Sequence, residues 1–116
     1  MSKVIILHNP RCSKSRETLA LLKRHGINPS VVDYLATPPT AKELGHIANL
    51  LGGDPRLLMR KSEPEFAELE LDDESLSRDQ LLAAMAAHPR LIQRPVVLAN
   101  GKAAIGRPAE AVLEIL

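Results

Sequence analysis

The chain has 116 residues, 45% of them apolar but only 2% aromatic, and a formal net charge of +1. That length allows one domain with a single aliphatic core, in which Tyr34 and Phe66 are the only aromatic rings. Near-neutral charge excludes a global attraction to nucleic acid or membrane, no apolar run reaches membrane-spanning length, and residues 1–8 lack a signal-peptide pattern, so the chain reads as soluble and cytoplasmic.

The apolar run VIIL at 4–7 predicts a short parallel strand buried on both faces. Asn9 and Pro10 make a turn, and a helix follows from Ser13 to His25, with Lys23, Arg24 and His25 in its last turn and Gly26 as its stop. SVVDYL at 30–35 is the second strand. Thr40 and Glu43 form a capping box for a helix to Leu51, which Gly52-Gly53 breaks. DPRLLMR at 54–60 predicts a short helix, and SEPE (62–65) and SRDQ (77–80) repeat the capping-box pattern. The acidic run between them, without a basic residue, reads as a solvated surface of small helices. A helix from Arg78 to His88 ends at Pro89. RPVVLAN and GKAAIG are then two strands joined by Asn100-Gly101, and Pro108 opens a final helix, PAEAVLEIL. This order is that of one thioredoxin-like (glutaredoxin-like) α/β domain over residues 1–116, with an inserted helical subdomain at about 40–90.

The one cysteine of the chain, Cys12, falls between a buried strand and a helix start. Unsatisfied backbone N–H groups and the positive end of the helix dipole favour an anion there. Helix N-termini and adjacent cations lower a cysteine pKa from ~8.5 toward roughly 3.5–7.5. Arg11, Lys14 and Arg16 flank Cys12, and His8 at the strand end could help if it approaches the sulfur. The polar, cationic setting weighs against the alternative of a small buried hydrophobe.

Spacing removes several chemistries. Position 15 is Ser, so Cys12-Ser13-Lys14-Ser15 cannot form the disulfide of a dithiol oxidoreductase, and any mixed disulfide needs an external thiol to resolve it. A phosphatase-type cysteine loop would need Arg where Thr18 stands, and no phosphate-loop or dinucleotide motif is present. His8, His25, His46 and His88 lack ligand spacing, so no metal site is expected. Arg60, Arg94 and Arg107 are the remaining candidates. An X-Pro bond at the start of the third strand is characteristically cis in a thioredoxin-like fold and faces the cysteine loop, so Arg94-Pro95 is the cis candidate and Arg94 is expected near Cys12. Guanidiniums converging beside the sulfur would make an oxyanion pocket, whereas singly each is an ordinary surface or salt-bridge residue.

HNPRCSKSRETLALL, Arg60 within LLMRKSEP, and RPVVLANGKAAIGRP together resemble the glutaredoxin-dependent arsenate reductase (ArsC) family, particularly its YfgD-like members, over essentially the whole chain. The resemblance implies an arsenate reductase with Cys12 as nucleophile and His8 lowering its pKa. It also implies Ser15 as a hydrogen-bond donor to the thiolate, and Arg60, Arg94 and Arg107 as ligands of arsenate or a similar oxyanion. No bound cofactor is implied; glutathione is a co-substrate and glutaredoxin the recycling partner. Two other readings are a glutathione-linked thiol oxidoreductase and an Spx-like regulatory module using the acidic 63–74 surface.

Overall fold

The apolar run near the start of the chain forms strand β1 (Ile5–His8), buried from Ile6 to His8, in a computed structural model that describes residues 3–116. Helix α1 (Ser13–Arg24) follows and buries Ser15, Thr18, Leu21 and Leu22. Its end is a Schellman turn: Gly26, with φ +75°, donates to the Lys23 carbonyl, and Ile27 donates to that of Leu22, each at 3.0 Å. Ile27 then packs on the core.

Strand β2 (Ser30–Asp33) stops before the expected Leu35. The Asp33 carboxylate accepts the Leu35 and Ala36 N–H groups at 3.0 and 3.2 Å, and this local turn draws the chain off the sheet. Strands β3 (Val96–Ala99) and β4 (Lys102–Ile105) form a hairpin through Asn100-Gly101, both at positive φ.

The sheet order is β2-β1-β3-β4, with β1 parallel to β2 and antiparallel to β3. This is a thioredoxin-like arrangement. Ile6 and Val97 pair across β1 and β3 and pack with Leu21 and Leu22 of α1 and Val112 and Ile115 of the C-terminal segment. Fully burying such a side chain contributes about 1.5–3 kcal/mol. That segment, Ala109–Ile115, is a 3-10 helix, and Pro108 stands just before it rather than as its first residue.

The chain divides into two compact units. The first comprises the residues up to Thr37 with Arg94–Leu116, and the second is Pro38–Gln93. In the second, helix α2 (Ala41–Leu50) starts at the Thr40–Glu43 capping box and helix α4 (Arg78–Ala87) at the Ser77–Gln80 box. A 3-10 turn, Pro55–Leu58, and helix α3 (Pro64–Glu68) lie between them.

The expected capping box at SEPE does not form. The helix begins at Pro64, so Glu63 rather than Ser62 stands at its N-cap, and the Glu63 carboxylate makes no capping bond but pairs with Arg60 at 3.0 Å and Arg90 at 3.3 Å. Glu65 also faces Arg90, at 3.8 Å, so the acidic run is solvated only in part. Arg78 ties α4 to α2 by donating to the Gly45 carbonyl and Asn49 Oδ1, each at 2.8 Å, and to the Gly53 carbonyl. Met59 and Ile92 form an antiparallel bridge, which puts Arg60 in an extended segment beside Leu91.

Gly106 is the glycine with least room for a side chain among those described. Its N–H donates to the Pro95 carbonyl at 2.9 Å, and a Cβ there would fall onto Thr18 Oγ1 and within 2.7 Å of Pro95 Cγ. Thr18 cannot turn away freely, because it is buried and its hydroxyl donates to the Lys14 carbonyl at 2.9 Å. Only a hydrogen atom fits where α1, β3 and β4 meet. Gly106→Ala is expected to lower stability by about 1–3 kcal/mol by overpacking, read as an earlier urea midpoint at unchanged slope.

Candidate active site

Cys12 is the residue that caps α1. Its backbone is extended (φ −94°, ψ 124°), its N–H donates to the Asn9 carbonyl at 3.0 Å, and its carbonyl accepts the Arg16 N–H at 3.0 Å. The sulfur therefore stands where a capping oxygen would, facing the N–H groups of Lys14 and Ser15 without closing a full capping hydrogen bond. Burial pushes this thiol up. The Ser15 amide, the Arg94 guanidinium and the Lys14 amide outweigh it, and the net direction is down. Arg107 Nη2 adds a longer contact, 3.6 Å from the sulfur, while its Nε donates to the Arg94 carbonyl at 2.8 Å. At that length we assign the downward shift mainly to the amides and Arg94.

The cations adjacent to Cys12 in sequence contribute less than their proximity suggests. Arg11 is exposed, Arg16 turns back to the Pro10 carbonyl at 2.8 Å, and the Lys14 ammonium pairs with Glu17 at 3.7 Å. It is the Lys14 backbone that acts on the thiol. The Arg94-Pro95 bond is cis, as expected, and so is Arg107-Pro108, which was not anticipated.

His8 and Ser15 pair in the interior of the first unit. Both are buried, and His8 Nδ1 lies 2.6 Å from Ser15 Oγ, which also accepts the Asn9 N–H at 3.0 Å. Burial pushes the His8 pKa down; its strand neighbour Asp33 opposes this, while Arg16 and Lys23 add to it. With His8 neutral and its proton on Nε2, the Ser15 O–H donates to Nδ1 and leaves its oxygen free to accept from Asn9. Ser15 thus offers the thiol its backbone N–H, while its hydroxyl serves His8 and Asn9.

The structure brings Cys12, His8, Ser15, Arg94 and Arg107 into the first unit, while Arg60 lies in the second, paired with Glu63. The sequence marks Asn9 only as a turn former, yet its N–H, carbonyl and Oδ1 bond to Ser15, Cys12 and Arg11 respectively. A polar side chain directly after a strand is the available signal for it. Among the described residues, no three His, Cys, Asp or Glu side chains gather to hold a metal, and no helix is long and apolar enough to cross a membrane.

The family model for the ArsC family matches residues 7–115. The chain belongs to the ArsC family. An arsenate reductase of Neisseria meningitidis serogroup A is 51% identical over the full length of both chains. The uncharacterized protein YfgD of Escherichia coli K12 is 55% identical, over 98% of this chain and 97% of its own. The solved structure of an arsenate reductase from Vibrio cholerae superposes with a TM-score of 0.95 at 55% identity, covering 98% of each chain.

Two consequences of this ArsC-type site can be measured. The Cys12 pKa, from the pH dependence of iodoacetamide alkylation, should lie below the ~8.5 of a free cysteine, and Arg94→Ala should raise it; an unaltered value in the variant would remove Arg94 from the site's electrostatics. For His8, a folded-state pKa below the ~6.5 of the unfolded chain means that the unfolded state takes up the proton first. The stability that neutral His8 confers is complete above about pH 6.5 and is lost as pH falls through the lower folded value. Thermal scans should show wild type losing more stability on acidification than His8→Gln.

Proposed function

We propose that this chain is a glutathione- and glutaredoxin-dependent arsenate reductase. The observation that carries the reading is a cysteine thiol at the N-cap position of α1, lowered in pKa, with Arg94 and Arg107 on it and no second cysteine in the chain. Relatives named arsenate reductase at about half-identity over full length support the same reading.

Arsenate is held as an anion by Arg94 and Arg107. Planar guanidiniums suit its tetrahedral oxygens and stabilise the charge that develops on them. The Cys12 thiolate attacks arsenic, and one oxygen, protonated, leaves as water to give a Cys12–S–As(V) adduct. Glutathione thiolate attacks the adduct and displaces a second oxygen as water, giving Cys12–S–As(V)–SG. Glutaredoxin thiolate attacks the glutathione sulfur, forming the mixed disulfide and leaving the As–S bonding pair on arsenic, now As(III). Water then hydrolyses the Cys12–S–As(III) bond, releasing arsenite and Cys12 thiolate. The external thiols are needed because Ser15 stands where a resolving cysteine would.

Arsenate reduction supplied with glutathione and glutaredoxin should proceed with wild type and vanish in Cys12→Ser. Arg107→Ala should lower arsenate kcat/KM by about 10²-fold while exchange of Cys12 with a small disulfide stays near wild type. Arg94→Ala should impair both, since Arg94 also acts on the thiol pKa. No arsenate turnover by wild type overturns the substrate; equal loss of both reactions in Arg107→Ala overturns the oxyanion pocket.

A further inference from the structure

Tyr34 follows Asp33, the last residue of β2, so the parallel register that sets His8 against Asp33 carries it alongside Asn9, at the end of the sheet where Cys12 lies. Its side chain has no exposed surface, and its hydroxyl closes no hydrogen bond. The Asn9 side chain and the Arg94 guanidinium are nevertheless near enough to polarise that hydroxyl, and the charge on Cys12 is felt there too. A buried hydroxyl without a partner is unfavourable, and a purely packing role would be filled as well by phenylalanine. The polar atom therefore calls for a second state in which its bond is made.

We propose that Tyr34 is a positioning residue for the anion site at Cys12: its hydroxyl accepts an N–H of Arg94 when an oxyanion lies over the sulfur, and so fixes the guanidinium in its anion-holding orientation. The proposal rests on the oxyanion reading above. The Asn9 side chain and Arg94 both act to lower the hydroxyl's pKa, as groups that donate toward its oxygen do, and Arg94 has donors enough to hold anion and tyrosine together. A bond made only in the occupied state favours that state, so the hydroxyl contributes to anion binding rather than to the stability of the empty protein.

Tyr34→Phe removes this one atom. Occupancy is read as protection of Cys12 from iodoacetamide by inorganic arsenate, with inorganic phosphate as a redox-inert second probe. The variant should keep or raise the thermal midpoint of the empty protein and need about 5–10-fold more arsenate for half-protection. In an Arg94→Ala background the same change should add nothing, because the hydroxyl acts through Arg94. Half-protection at the wild-type concentration, or the full effect persisting without Arg94, overturns the role of Tyr34 while leaving the oxyanion reading in place. If neither anion protects wild-type Cys12, the oxyanion reading falls, and this proposal falls with it.

Discussion

A sulfur held where a capping oxygen belongs is the constraint on which the site depends. The first turn of α1 leaves backbone N–H groups without intrahelical partners, and at Cys12 those of Lys14 and Ser15 turn toward the thiol. An anion satisfies them better than a neutral thiol does. Burial works against ionisation, so the site is balanced between two opposed effects and its outcome rests on a few groups of fixed position.

Those positions are set by packing and by backbone hydrogen bonds. Asn9 closes the loop from both sides, bonding to Cys12 through its carbonyl and to Ser15 through its N–H. Ser15 in turn rests on His8, which β1 holds in the sheet opposite Asp33. On the other side, Gly106 lets β4 and the start of β3 press against Thr18 of α1, bringing the segments that carry Arg94 and Arg107 to the start of the helix. The Arg107 Nε bond to the Arg94 carbonyl then links the two arginines. Reactivity at one atom is thus bound up with contacts made well away from it.

Most of the fold was legible in local pattern. The apolar run of β1, the Thr40–Glu43 and Ser77–Gln80 boxes, the Gly26 stop and the Asn100-Gly101 turn each use chemistry contained within a few residues. Local reading failed where a different local arrangement won. Glu63, paired with Arg60 and Arg90, stands at the N-cap of α3 in place of Ser62, and Asp33 ends β2 by binding the turn that follows it. The cations beside Cys12 misled for a similar reason: Arg16 and Lys14 find nearer partners in Pro10 and Glu17. Arg94 and Arg107, remote in sequence, meet the sulfur.

The sequence by itself determined that this protein has one thiol, that a helix begins beside it and that a second resolving cysteine is absent, because each of these is a property of residue type and short spacing. Only the tertiary structure decided which groups act on that thiol. Amides and guanidiniums act over a few ångströms, and the approach of Arg94 and Arg107 to Cys12 arises from strand register and close packing of segments far apart in the chain.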